Sequence, residues 1–276
     1  MVSGPDDFDA VRADPDPISR GRRATALMSL YQQRATELAR LRREAIEQAH
    51  AEQDMTYSEI ATALGITKGR VTQIRSGAPA RERVFFGVGP VSVGVPLREG
   101  ADTRMRSYVD VTDLTSQAEA ETLLGTLSLA AVPVTIAPDQ SAPPAGDAIV
   151  ICGPKSAPVG AELLARDPAL DIVKEAGRWW IVVRETGERL GSPLGDSPPA
   201  DADLGYLSRR RDGDRVVVHI AGIHSPGSLG VLHYLAGNLA SLYRTAGDRD
   251  FSMVVRSELD GPKVADSGLV SGLHIW

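Results

Sequence analysis

The 276-residue chain has one cysteine, four lysines among its 30 basic residues, and only 5% aromatic residues. The lone cysteine, Cys152, excludes an internal disulfide framework and a cysteine-rich zinc site. No H-E-x-x-H, no histidine pair four residues apart and no carboxylate triplet beside a histidine points to a metal, and no cofactor is required. No apolar run approaches the roughly 18 residues that a bilayer crossing demands. The opening MVSGPDDFDAVRADPDP has neither a basic start nor an apolar segment, so it does not read as a signal peptide. A cytoplasmic protein with no membrane partner is expected. Scarce lysine beside frequent alanine and glycine suggests a GC-rich coding genome.

What is present is an uneven charge distribution. The formal net charge is −6, yet residues 18–83 carry 12 Lys/Arg against 7 Asp/Glu, a local +5. Residues 1–17 carry −4 and the remainder −7. A basic block between acidic flanks is the footprint of a nucleic-acid-binding module joined to something else. A solvated basic helix face would show the same numbers.

Residues 1–17 read as a disordered tail. From Ile18 to about Gln53 there is no proline and no glycine after Gly21. Leu27, Tyr31, Ala35, Leu38, Ala45 and Ala49 recur near helical spacing, which predicts one long amphipathic helix. Arg34, Arg40, Arg42 and Arg43 are expected on its exposed side. Part of the apolar stripe should cap the domain that follows. The rest is too long for a small domain to cover, so pairing with a second copy, a homodimer, is expected.

The stretch TYSEIATALGITKGRVTQIRSG, residues 56–77, carries the most specific pattern. Tyr57 to Leu64 predicts one helix capped near Thr56, and Gly65 permits the positive φ of a tight turn. Thr67 caps a second helix to Arg75, which Gly77 and Pro79 end. Ala61 is small where the two helices cross, and Ile60, Leu64, Ile66, Val71 and Ile74 are expected inside. This arrangement resembles the helix-turn-helix of bacterial regulators and of sigma-factor region 4. The resemblance implies that the second helix enters the major groove of double-stranded DNA. Its candidate contact residues are Thr67, Lys68, Gly69, Arg70, Thr72, Gln73 and Arg75. Lys68, Gly69, Arg70 and Gln73 are expected at bases, since Arg pairs with guanine and Gln with adenine in bidentate fashion. Thr72, Arg75 and the arginines of the first helix are expected nearer phosphates. A helix-turn-helix used only for protein contacts is the alternative.

SGAPARER, residues 76–83, reads as a linker. The expected domains are the helix-turn-helix unit over 18–79 and a larger one over 80–276. In the latter, apolar runs such as DAIVICG (147–153) and DRVVVHIAG (214–222) alternate with helix-forming stretches at 116–131, 157–166 and 228–246. That alternation predicts an α/β domain with a mainly parallel sheet, preceded by the all-α domain. RWWIVV (178–183) suggests a hairpin with 171–174, and FSMVVRSE (251–258) a last strand.

Two strand–glycine–helix connections, around Gly153 and from Gly222 to Gly230, share one form. At the carboxyl edge of a parallel sheet they would lie where open α/β domains bind ligands. Helix starts offer unpaired N–H groups to an anion. The candidate ligand-binding residues are Gly153, Lys155, Ser156, Gly222, His224, Ser225, Gly227, Ser228 and Gly230. Gly222, Gly227 and Gly230 loosely resemble the phosphate loops of Rossmann-like nucleotide-sensing domains, including the SLOG superfamily. That implies a phosphorylated or nucleotide-like effector. The spacing is not G-x-G-x-x-G, and no P-loop lysine follows.

Three readings stand: a ligand-responsive regulator, a nucleotide-processing enzyme of N-glycosidase or transferase type, and a DNA-anchored scaffold. Neither glycine loop presents a catalytic base with a partner in sequence, so no catalytic residue is assigned and the sensor is favoured.

Overall fold

The computed structural model describes residues 6–101 and 105–276. Helix α1 (Asp6–Ala13) leads into the 36-residue helix α2 (Pro17–Glu52). Asp16 caps α2 by accepting a bond from the Ser19 amide at 2.7 Å, and Asp14 accepts from the Ser19 hydroxyl, also at 2.7 Å. The tail expected to be disordered is thus helical from Asp6, because its carboxylates satisfy the start of α2. Residues 1–5 of that tail lie outside the described residues.

The expected orientation of α2 holds in part: Arg42 is exposed and Ala49 packs on the helix-turn-helix core, but the middle of the helix turns the other way. Tyr31 and Leu38 are 43% and 66% exposed, whereas Gln33 and Arg40 are buried. Arg40, expected at the surface, is held by Glu37 at 2.8 Å and Glu44 at 3.0 Å. Arg43 reaches the Ala78 carbonyl at 3.4 Å, so it too is engaged inside the chain.

Helices α3 (Tyr57–Ala63) and α4 (Lys68–Gly77) follow. The segment read as a linker is ordered from Arg81 to Phe86 as a short 3-10 helix. Its Arg83 is fully buried. The guanidinium donates to Glu37 at 2.9 Å, to Gln33 at 3.2 Å, and to the carbonyls of Leu127, Val88 and Ser128. Small and polar residues resemble a linker until such an arginine has five acceptors around it.

A seven-stranded sheet organises the rest. In chain order the elements are β1 (Val91–Pro96), β2 (Arg98–Ala101), β3 (Met105–Tyr108), α5 (Val111–Thr126), β4 (Ala131–Ile136) and β5 (Asp147–Ile151). Then come α6 (Pro158–Ala165), β6 (Leu170–Glu175), β7 (Arg178–Val183), β8 (Arg189–Gly191), β9 (Ala202–Asp212), β10 (Arg215–Gly222), α7 (Ser225–Ala246), β11 (Phe251–Asp260) and β12 (Lys263–Ile275). The sheet order is β12-β11-β9-β10-β5-β1-β4. Strands β4, β1, β5 and β10 run parallel, while β9, β11 and β12 are joined antiparallel. The sheet is therefore mixed, with the expected parallel strands on one side and an antiparallel set on the other. Strand β9 begins inside a stretch that reads as loop, and β12 has no run of apolar residues to announce it.

Helices α5 and α7 cover one face with Leu124, Val231 and Leu235; α6 and the small sheet β6-β7-β8 cover the other. On β5, Ile149 and Ile151 face the first layer, and Ala148 and Val150 the second. Cover on both sides is why β5 and β10 lack polar alternation. Within the second layer His219 is 1% exposed and lies edge-on to the Tyr206 ring. Its Nε2–H donates to the Cys152 carbonyl at 2.8 Å, leaving Nδ1 without a partner. Burial holds the His219 pKa down at about 4.

Replacing Arg83 with Ala should lower unfolding free energy by about 3 kcal/mol in urea titrations, since Glu37 and three carbonyls lose their donor. Arg83→Lys should recover little, because an ammonium cannot span the same acceptors. A shift below about 0.5 kcal/mol for Arg83→Ala would refute the clamp.

A second test concerns pH. His219 binds its proton less readily folded (about 4) than unfolded (6.5), so protonation favours the unfolded chain. Stability should fall as pH drops from 6.5 towards 4, by about 2 kcal/mol between pH 7 and 5. His219→Gln should flatten that slope; an unchanged slope would remove His219 as its cause.

Candidate functional site

The helix-turn-helix is built by its caps. Thr56 and Glu59 form a reciprocal capping box: the Thr56 hydroxyl accepts from the Glu59 amide at 3.3 Å, and Glu59 accepts from the Thr56 amide at 2.7 Å. Gly65 turns the chain with φ of +64°, and the Thr67 hydroxyl accepts from the Arg70 amide at 3.1 Å. Ile60, Ala61, Val71 and Ile74 bury their side chains against Ile46 of α2. Leu64, expected inside, is 50% exposed, because it caps α3 after the last inward-facing turn.

Helix α4 keeps Val71 and Ile74 inside, while Thr67, Lys68, Gly69, Arg70, Thr72, Gln73 and Arg75 are all exposed. Arg70 donates to the Gln73 side chain at 3.1 Å, which orders two of the candidate contact side chains side by side. Arg75 instead folds over the Tyr57 ring, 4.2 Å from its centroid. It is stacked within the motif while remaining exposed.

At the other end of the chain, β5 and β10 are neighbours in register, Ile151 opposite Ile220, so their glycine loops emerge together. The cleft between them is lined by Gly153, Lys155, Ser156, Gly222, His224, Ser225 and Ser228, with Arg98 and Asp113 added from elsewhere. Lys155 donates to the Ile223 carbonyl at 2.8 Å, and Arg98 pairs with Asp113 at 2.7 Å. Burial of the ammonium group, reinforced by nearby Arg98, lowers the Lys155 pKa. Burial raises that of Asp113 against the opposing pull of Arg98. The open space is about 20 Å³, room for about one water.

Two amides at the start of α7 are already engaged within the protein. The carboxylate of Asp203, fully buried, accepts from the Gly227 amide at 2.7 Å and the His224 amide at 3.1 Å. Ser228 Oγ accepts from the Gly222 amide at 2.9 Å. At the start of α6, the Val159 amide donates to the Gln140 carbonyl at 2.9 Å. These amides are already satisfied by the protein, so an anion here would be met by the side chains of Lys155, Arg98 and His224.

Gly227 and Gly230 are not lining residues. A side chain on Gly227 would strike the Leu204 carbonyl, and one on Gly230 would strike Ser257. Both glycines exist so that α7 can lie against β9 and β11. Sequence reading missed Arg98, Asp113 and Asp203. Asp203 sits 3.2 Å from His224 Nδ1, an orienting partner for that imidazole which distance along the chain had hidden. Trp180 is covered by the Arg178 guanidinium, 4.5 Å from its ring, and is not a free stacking platform.

A larger groove of about 770 Å³ lies at the opposite sheet edge, between α2 and the strand starts, and includes Glu37, Asp147, Asp212 and Asp214. Asp147 is committed there to the amides of Val88, Gly89 and Val216. Among the described residues no group of three or more His, Cys, Asp or Glu side chains is placed to hold a metal, and no helix is long and apolar enough to cross a membrane.

Residues 36–81 match the family Sigma-70, region 4. The match begins within α2, spans α3 and α4, and ends at Arg81, so the chain carries a helix-turn-helix domain of the DNA-binding type. No curated protein matches the chain.

Gly227→Ala should lower the thermal midpoint by several degrees, a cost of about 1–3 kcal/mol from overpacking α7 on β9. An unchanged midpoint would return Gly227 to the list of binding residues.

Proposed function

We propose that the chain is a DNA-binding transcriptional regulator that acts as a homodimer and senses a phosphorylated or nucleotide-like small molecule. The observation that carries the DNA half is the division of α4 into a buried edge, Val71 and Ile74, and an exposed row containing Lys68, Arg70 and Gln73. Hydrogen-bonding side chains stand on the face that a major groove would meet, and the basic balance of 18–83 supplies attraction to phosphates.

Support for the sensor half comes from the convergence of Lys155, Arg98 and His224 on one cleft at the carboxyl ends of β5 and β10. The cleft as closed accepts little more than a water. An incoming phosphoryl group would therefore have to draw Lys155 away from the Ile223 carbonyl and displace Asp113 from Arg98. That exchange gives the effector a differential affinity for an open state, which is what a switch requires.

The pairing of Asp203 with His224 favours a second reading, in which His224 serves as a general base in a nucleotide-processing reaction. Turnover of nucleotides or sugar phosphates that disappears in His224→Gln would select the enzyme over the sensor.

Arg70→Ala should weaken binding to a selected duplex by about tenfold or more, the 1–3 kcal/mol of a bidentate base contact, with the thermal midpoint unchanged. Equal affinity in an electrophoretic shift at fixed salt would sink the role of α4. Inorganic phosphate, sugar phosphates and nucleotides should be screened by thermal shift, with Lys155→Ala abolishing any stabilisation seen. A stabilising compound that acts equally on Lys155→Ala would move the site elsewhere.

A further inference from the structure

Helix α2 carries two opposed faces, and the apolar one points outward. Gln33, Glu37, Arg40 and Glu44 follow a four-three-four spacing on the side that meets Arg83 and the α/β layers. Half a turn away, Met28, Tyr31, Ala35, Leu38, Arg42 and Ala45 follow spacings of three, four, three, four and three. Met28 and Leu38 are 62% and 66% exposed, and Tyr31, Ala35, Arg42 and Ala45 are exposed as well. A 3.5-residue repeat is the seam of a left-handed helix pair, whereas a solitary surface helix places such a stripe inward.

We propose that a second copy of this chain covers the stripe, with the two α2 helices antiparallel and residues 28, 31 and 35 of each opposite residues 45, 42 and 38 of the other. This rests on the homodimer reading above and gives it an orientation and a register. The residues themselves choose between orientations. Antiparallel, Met28 meets Ala45 and Leu38 meets Ala35, so each of these large apolar side chains faces a small one and the layers interdigitate. Arg42 then lies against Tyr31, a guanidinium on an aromatic ring. In a parallel pair Arg42 would meet Arg42, and Ala35 would leave a gap opposite Ala35. Charge and volume complementarity both favour the antiparallel pair.

The arrangement also relates the two DNA-binding units. Each packs on the end of α2 through Ile46. In this register the two Ile46 positions are roughly 28 Å apart along the pair, from about 1.5 Å of rise per residue. That is close to the roughly 34 Å repeat between half-sites on one face of B-DNA.

The test uses the full chain without DNA, so failure of the DNA-binding reading leaves it untouched. Sedimentation equilibrium should give a dimer for the wild type, and Leu38→Glu should raise the dissociation constant by at least about tenfold, since a carboxylate would be buried unpaired. Leu38→Glu should keep the circular dichroism of the fold, because the residue is exposed in one copy alone, and should lose any concentration dependence of its thermal midpoint. Under mild oxidation the double variant Met28→Cys with Ala45→Cys should form a covalent dimer, and neither single variant should. The native Cys152 is buried, with its thiol pushed up to about 12, and stays out of the reaction. Self-crosslinking of the single variants would overturn the orientation while keeping the homodimer. A wild type monomeric at all accessible concentrations, or a Leu38→Glu variant that dimerises unchanged, would overturn the interface itself.

Discussion

The buried guanidinium of Arg83 is the interaction on which the arrangement of this chain depends. It binds Glu37 and Gln33 of α2, and the carbonyls of Leu127 and Ser128 after α5, all from within the segment that follows the helix-turn-helix. A second buried arginine, Arg209 of β9, grips the same segment from the sheet through the Phe85 carbonyl at 3.0 Å and holds the turn after α7 through the Asp248 carbonyl at 2.9 Å. Burial presses both guanidinium groups to lower pKa values, and both stay charged because an arginine begins far above neutrality. Two desolvated cations at one crossing would be costly without the acceptors around them. With those acceptors, α2 is fixed to the α/β layers over its middle and to the DNA-binding unit at its end. One rigid element thus links the two.

That linkage bears on how a ligand would be felt by the DNA-binding unit. The cleft at Lys155 and the clamp at Arg83 lie at opposite edges of the central strands. Strand β1 spans the distance between them, from the Asp147-bound turn at Val88 and Gly89 to Pro96 beside Arg98. A route through a rigid strand is a physical path, and coupling along it is what the proposed function asks of the fold. The occupancy of the α7 start by Asp203 matters in the same way. A fixed internal carboxylate where an anion was expected leaves recognition to mobile side chains, whose charges are balanced within the cleft as Lys155 and Arg98 against Asp113 and Asp203.

The outward apolar stripe of α2 follows from the same clamp. Once Glu37 and Arg40 are needed to complete the Arg83 site, the polar face of the helix is committed inward. The opposite face, with Tyr31 and Leu38, is left exposed among the described residues. The proposed second copy would reconcile the two demands on one helix.

Local signals were legible wherever a single element decided them. Thr56, Gly65 and Thr67 act through bonds three residues away and through one dihedral angle, so the helix-turn-helix could be read directly, with its exposed row from Lys68 to Arg75. Strands β5 and β10 were legible because cover on both faces leaves a continuous apolar run. Residues whose meaning depends on distant partners were not legible. Asp203 is 21 residues before His224, Arg98 is 57 before Lys155, and Arg83 is 46 after Glu37. The spacing of apolar residues along α2 was plain, but spacing has no inside or outside. The sequence by itself determined which residues share a face and where the two helices of the helix-turn-helix start. Only the tertiary structure decided which face is buried, whose carboxylate fills the α7 start and which glycines are for packing, because burial and charge pairing are settled between elements.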